Sequence, residues 1–205
     1  AIVTAVSVAI AGWSVFDRNQ ATASGPPPGS LFPGLINQVN EIARIDVQTP
    51  KLSFSIERSS SEQWQVKERG GYPVKFETIK QAVVGIANTR LLEAKTAKPE
   101  LHDRLFLKSP NDGGRGTTMV LADRSGKSIA AIVVGKTKLS PTKSEDGIHY
   151  VRRLDQNQSY LASGRVEVWE TIDRWLDNTM PTIARQRVRA ATTIQVNGAR
   201  ASVAR

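Results

Sequence analysis

Two short segments carry the residue types that hold phosphate groups in nucleotide-binding loops. Residues 126–128 (Gly-Lys-Ser) and 135–137 (Gly-Lys-Thr) both end like a P-loop, in which backbone amides and a lysine bind phosphates. A P-loop also requires an earlier glycine, and Leu121 and Ala130 stand at the corresponding positions. Both segments lie within strand-like patterns, whereas a P-loop precedes a helix. The sequence therefore argues against a nucleotide site here.

The other residue types that support catalysis or metal binding are few. The chain has no cysteine, and its two histidines, His102 and His149, show no spacing typical of metal ligands. No GxSxG nucleophile motif occurs. Acidic residues recur between positions 167 and 177, but Arg174 interrupts them, which is typical of a solvated helix face. We therefore expect a protein that is not an enzyme and that uses no cofactor or metal.

Basic residues are the clearest chemical feature of the chain. Lysine and arginine outnumber aspartate and glutamate by 28 to 19, which gives a net charge of +9 and favours anionic neighbours. Arg185, Arg187 and Arg189 alternate, so in a strand all three point to one side. Arg152 and Arg153 add to this surplus. We expect these five residues to contact a partner protein or anionic headgroups, whereas a nucleic-acid interface would need exposed aromatic residues or a known motif.

The chain opens with an uncharged stretch from Ala1 to Phe16. A membrane-spanning helix needs about twenty apolar residues, and the chain does not begin with methionine, so we expect this stretch to be the end of a longer one. Trp13 and the charged pair at 17–18 suit a membrane interface. We predict a transmembrane anchor over residues 1–18, with a signal peptide and a buried core element as alternatives. Its lipid-facing residues would be Ile2, Val3, Val6, Val8, Ile10, Trp13, Val15 and Phe16.

A spacer and a folded domain follow the predicted anchor. Residues 19–34 are rich in proline, glycine and serine, which is typical of an extended linker. Between residues 35 and 189 the sequence predicts an α+β domain, mostly antiparallel sheet with two or three packing helices. The strands are expected in hairpins around 45–56 and 117–135, with further strands at 149–154 and 159–163.

The helices of this domain are predicted from apolar periodicity. One should follow Pro73, with an apolar stripe formed by Phe76, Ile79, Val83 and Ile86. A shorter helix should begin near residue 99, and a third should cover residues 166–178. A further helical stretch is expected from residue 35 to residue 45.

The end of the chain repeats a pattern from the start of the domain. Residues 45–58 and 194–205 both alternate apolar and polar residues around a tight turn, and the second contains Asn-Gly at 197–198. Residues 190–205 are therefore predicted to begin a second copy, and the natural protein is predicted to continue beyond Arg205. A chance likeness between two common hairpins is the alternative.

Several short motifs occur in an order that resembles one bacterial family. They are Trp64 in a short strand, Tyr-Pro at 72–73, Leu-Leu-Glu-x-Lys-Thr at 91–96, Gly-Lys at 135–136 and Tyr-Val-Arg-Arg at 150–153. Together they resemble the DUF4340 domain family of bacterial envelope proteins, over nearly all of residues 31–195.

The resemblance implies a cellular role. Members of that family typically have one N-terminal membrane span and a periplasmic body, and are encoded beside ABC transporters of the gliding-motility type. It implies a non-catalytic scaffold subunit in the bacterial inner membrane, with the transporter permease and auxiliary subunits as partners. The alternative is a periplasmic binding module that delivers an anionic lipid or glycan. A deep apolar pocket would favour delivery, whereas a filled core with an exposed sheet edge would favour scaffolding.

Overall fold

A nine-stranded antiparallel sheet and a separate two-stranded hairpin are the main regular elements of the described chain. The computed structural model describes residues 29–138, 147–179, 190–194, 198 and 200–204. The predicted anchor, residues 1–18, lies outside these ranges, as do the predicted contact residues Arg185, Arg187 and Arg189. An α+β fold with a sheet-dominated core is therefore confirmed.

Every strand pairing in the large sheet is antiparallel. Its strands are β1 Ile42–Gln48, β2 Ser53–Arg58, β3 Trp64–Val66, β4 Tyr72–Pro73, β5 Arg90–Ala94, β6 Thr117–Asp123, β7 Ser128–Lys138, β8 Ile148–Arg153 and β9 Ser159–Ser163. Their spatial order is β4-β3-β2-β1-β6-β7-β8-β9-β5. The separate hairpin pairs β10, Ala190–Ile194, with β11, Arg200–Ala204.

The helices of the described chain are short. The α-helices are α1 Leu35–Gln38 and α2 Phe76–Ala87. The 3₁₀ helices are Val39–Glu41, Lys67–Arg69, Pro99–Leu105, Pro110–Asp112 and Ile172–Arg174. None of the helices in the described ranges has the length and hydropathy that a membrane crossing requires.

The main core lies on the face of the sheet that α2 covers. Alternation along the strands places Ile45 opposite Leu121 and Val47 opposite Met119, and all four are fully buried. From α2, the residues Ile79, Val83 and Ile86 pack into the same cluster. Phe76 does not, because its position at the first residue of the helix leaves it 67% exposed. The predicted apolar stripe therefore begins at Ile79.

Trp175 closes this core although it lies outside any regular element. Its indole is fully buried and meets the rings of Phe54 and Trp169 edge to face, at centroid distances of 6.3 and 5.1 Å. The indole N–H donates to the Trp169 carbonyl at 3.0 Å. The backbone around it pairs with the start of α2, since Lys75 N–H donates to Trp175 O. These contacts hold the segment in an irregular path.

The helix predicted over residues 166–178 is therefore wrong. Only the single turn Ile172–Arg174 is helical there, and it is 3₁₀. The buried Trp175 and a β-bridge between Val74 and Leu176 supply contacts that a continuous helix would break. The helix predicted near residue 99 is likewise a 3₁₀ helix, and the one predicted over 35–45 stops at Glu41 because Ile42 begins a strand.

The folded domain begins before residue 35. Leu31 and Phe32 are buried in the main core, and Leu31 N–H donates to the Thr89 carbonyl at 2.9 Å. Residues 29–34 therefore belong to the domain, and the predicted linker over 19–34 extends too far. The remainder of that linker, residues 19–28, lies outside the described ranges.

A second, smaller core lies on the opposite face, over strands β6 to β9. Val134 and Val151 point into the main core, so their neighbours Val133 and Arg152 point to the other side. The segment 105–108 covers this side, and Leu107 is fully buried there. Its backbone approaches so closely that a Cβ on Gly135 would lie 2.2 Å from the Leu105 carbonyl oxygen. Glycine is required there for that reason.

Candidate functional site

The outer strand β5 forms one edge of the large sheet. On one side it pairs with β9. On the other, within the described ranges, residues 29–30 lie against its start, through a bridge between Ser30 and Arg90 and a 3.1 Å bond from Leu91 N–H to Gly29 O. Among the described residues, no strand lies beyond the stretch from Leu92 to Ala94. This stretch is called the β5 edge below. It offers backbone groups to a partner strand.

Two features limit which partner strand can pair with the β5 edge. The pairing with β9 shifts between Leu91 and Glu93, so Leu92 forms a β-bulge, and its side chain is 37% exposed. Glu93 also forms an ion pair with Lys95. Bulges and charges at a sheet edge discourage unspecific pairing, so a partner must match this irregular register.

A small apolar pocket lies beside the β5 edge. It has a volume of about 340 Å³ and lies between β5 and the 3₁₀ helix Pro99–Leu105. The residues that line it with apolar atoms include Ala94, Leu101 and Leu105. Its size is at the lower limit for small-molecule sites, which span about 300–1,000 Å³, and suits one side chain of a partner.

A larger, basic cleft opens between α2, the first residue of β5 and the turn after β9. It has a volume of about 850 Å³. Three cations from three elements line it, together with two amides and a hydroxyl: Lys80, Arg90, Arg165, Gln81, Asn88 and Ser163. These six residues are called the basic cleft below.

Among the described residues that line the basic cleft, cations outnumber carboxylates. Glu77 is the one carboxylate that lines it within the described chain, and it lies 3.8 Å from Lys80 Nζ. Arg165 lies 4.0 Å from Glu167. The pair of Lys80 with Glu77 is well exposed, so it is worth roughly 0–1 kcal/mol and leaves Lys80 able to attract a further anion.

Closely packed backbone forms the wall of the basic cleft. A Cβ on Gly85 would lie 2.1 Å from the Arg165 carbonyl oxygen, so only glycine lets α2 lie against the turn 163–165. The buried Thr89 hydroxyl donates to Gly85 O at 3.0 Å and fixes the end of the helix. Gly164 has φ +149°, where a side chain would be strained. The backbone segments that carry the cations are therefore held in place by close packing.

Arg152 does not have the exposed position that the sequence predicted. It is 7% exposed, and its guanidinium donates to four backbone carbonyls. Nε and Nη2 donate to Leu107 O at 3.3 and 3.2 Å, and Nη1 donates to the carbonyls of residues 153, 154 and 156. Burial lowers the pKa of Arg152. This arginine holds the 105–108 segment and the turn after β8.

Arg153 points to the opposite face of the sheet from Arg152, because the two are neighbours in β8. It lies 3.4 Å from Asp155, and its guanidinium carbon is 5.3 Å from the centre of the Phe32 ring. The two predicted contact residues therefore do not share a surface. The other three predicted contact residues, Arg185, Arg187 and Arg189, lie outside the described residues.

The P-loop-like segments and the histidines have structural roles. In the turn before β7, the Ser125 hydroxyl donates to Asp123 Oδ1 at 2.6 Å, and the backbone N–H groups of Ser125 and Lys127 donate to the same oxygen. These bonds, the hydroxyl bond above all, lower the pKa of Asp123. Burial lowers the pKa of both His102 and His149. His102 Nε2 lies 2.8 Å from Asn157 O. No cluster of three or more metal-binding side chains occurs in the part of the chain that the structure describes.

Sequence patterns alone did not reveal the basic cleft, because Lys80, Arg90 and Arg165 are far apart along the chain. The pairing of β5 with β9 brings Arg90 near Arg165. No motif spacing marks them.

No family model, curated protein or solved structure matches the chain. The resemblance to the DUF4340 family therefore stays a prediction. What the chain does must be argued from its own surfaces and charges.

Proposed function

We propose that this chain is a non-catalytic, membrane-anchored scaffold subunit of a bacterial ABC-type envelope transport complex. The observation that supports this role is the β5 edge beside an apolar pocket. A partner segment would add a strand at Leu92–Ala94 and insert one side chain between β5 and Leu101. Backbone hydrogen bonds then give affinity and the pocket gives specificity.

The location belongs to the same proposal. Residues 1–18 would fix the protein in the inner membrane, and residues 19–28 would give the domain reach into the periplasm. The transporter permease and auxiliary subunits are the proposed partners. Arg185, Arg187 and Arg189 would add attraction to anionic headgroups or to an acidic partner surface.

Delivery of an anionic lipid or glycan is the alternative function. A carrier for a lipid must shield acyl chains in a large apolar cavity. In the described ranges the core is filled, since Trp175, Phe54 and Ile45 are buried, and the larger cleft is lined by charged and polar groups. These features support the scaffold role over delivery of a lipid.

Purification of the complex in mild detergent tests the scaffold role. Permease and auxiliary subunits should co-purify with the wild-type protein and be quantified by mass spectrometry. The variant Leu92→Asp should reduce their yield about tenfold or more, because an unpaired carboxylate in an interface costs at least about 1.4 kcal/mol. Ile36→Asp is the matched control, since Ile36 is also exposed (47%) but lies on α1.

Two results would contradict the scaffold role. Transporter subunits that fail to co-purify with the wild-type protein would remove the proposed partner. Equal yields from Leu92→Asp and the wild type would show that the β5 edge is not the docking surface.

A further inference from the structure

We propose that the basic cleft binds a phosphate group carried by an organic ligand. The scaffold role does not enter this inference, which rests on the charges and packing of the cleft alone. Lys80 comes from α2, Arg90 from the start of β5 and Arg165 from the turn after β9. Three cations that converge from separate elements raise the local concentration of anions.

Arg90 is the main candidate for direct contact. Within the described ranges it takes part in no ion pair, although it lines a cleft with two other cations. A guanidinium presents donors in a planar fork that fits two oxygens of a phosphate at once. Lys80 would add a point charge, because its pair with Glu77 is long, at 3.8 Å, and exposed.

Neutral donors complete the set that a phosphate ester requires. The side-chain amides of Gln81 and Asn88 and the hydroxyl of Ser163 line the same cleft. A volume of about 850 Å³ exceeds what inorganic phosphate needs and leaves room for the organic part of the ligand. The cleft walls carry polar side chains, so that organic part should be polar, such as a glycerol or sugar unit.

The packing of the cleft favours binding without rearrangement. Gly85 lies against the Arg165 backbone, and Gly164 lies against Thr89, where a Cβ would be 3.3 Å from the Thr89 Cα. These contacts hold α2, β5 and the turn 163–165 at a fixed spacing. A preformed site loses less conformational entropy on binding, which increases affinity.

Titration calorimetry and amide NMR on the detergent-solubilised full chain test this inference. The probes are sodium pyrophosphate and the soluble short-chain lipid dihexanoylphosphatidylglycerol. Binding should shift the amide signals of Asn88 and Ser163, and the double variant Lys80→Gln/Arg90→Gln should bind about tenfold or more weakly. The matched control is Arg124→Gln/Lys127→Gln, which removes the same charge from the exposed turn between β6 and β7.

The outcomes separate the site from bulk charge. Loss of binding in the cleft variant alone supports the site. Equal weakening in both double variants, or binding of neither probe, overturns it. Tighter binding of the lipid than of pyrophosphate would assign the phosphate to a headgroup, and the reverse order would assign it to a soluble ester. Co-purification of transporter subunits with the cleft variant, measured separately, keeps this result distinct from the scaffold proposal.

Discussion

Replacement of Arg152 by methionine should destabilise the fold far more than the same change at Arg153. Arg152 donates to four carbonyls, and Leu107, which accepts two of these bonds, is fully buried. A buried acceptor that loses its donor costs about 1–3 kcal/mol of stability. The carbonyls of the turn 153–156 can bind water instead, so each bond lost there costs roughly 0.5–1 kcal/mol. The free energy of unfolding should therefore fall by about 3–5 kcal/mol.

Urea unfolding followed by circular dichroism at pH 7 measures this loss. Arg153→Met is the matched control, because it removes the ion pair in which Arg153 Nε lies 3.4 Å from Asp155, without forming a hydrogen bond to it. That control should change the stability by less than about 1 kcal/mol. Arg152→Lys should fall between the two, because one ammonium group cannot reach all four carbonyls. A loss below about 1 kcal/mol for Arg152→Met would refute the role assigned to this arginine.

Three further predictions concern pH, packing and the anchor. Burial lowers the pKa of His102 and His149, so near pH 6.5 the unfolded chain binds more protons than the folded one. The free energy of unfolding should therefore decline as the pH falls below about 6.5. In His102→Gln, the urea midpoint should change less between about pH 7.5 and 5.5 than it does in the wild type. Gly85→Ala should cost about 1–3 kcal/mol in thermal or urea unfolding, because its Cβ would meet the Arg165 carbonyl; unchanged stability would contradict the packing. Residues 1–18 should keep the protein in the pellet when native membranes are extracted with alkaline carbonate, and release into the supernatant would contradict the anchor.

Local patterns predicted the elements whose burial follows a simple period. The hairpin of β1 and β2 and that of β6 and β7 show clear alternation, and their cores are filled by the residues that alternate inward. Helix α2 was predicted for the same reason, since its buried residues recur at helical spacing. In these elements the local preference and the final contacts agree.

Elements that depend on distant contacts were missed or assigned wrongly. The residues of β5, Leu-Leu-Glu-Ala at 91–94, have good helix propensity, and only pairing with β9 makes them a strand. Residues 166–178 have helical periodicity, yet Trp175 and Leu176 are bound by partners about one hundred residues earlier in the chain. Arg152 was predicted to be a surface cation. The segment that covers it, including the Leu107 carbonyl to which it donates, is distant in sequence.

The two edges of the sheet differ in a way that bears on how a partner would approach. At β4 the edge is closed, because Leu176 bridges to Val74 and Asp177 N–H donates to Pro73 O at 2.9 Å. At β5, as far as the structure describes the chain, the edge is covered where residues 29–30 lie against Arg90 and Leu91 and is uncovered beyond them. The chain therefore enters the domain at the same edge that we propose for docking.

That arrangement limits where the partner can be. If residues 1–18 cross the membrane, the stretch 19–28 reaches at most about 35 Å, since an extended chain spans about 3.3–3.6 Å per residue. Strand β5 begins next to the end of this tether, because Ser30 bridges to Arg90, and Arg90 also lines the basic cleft. The start of β5 would then lie within about 35 Å of the bilayer, so the segment that pairs with β5 should belong to a membrane-embedded subunit or to a periplasmic loop close to the membrane.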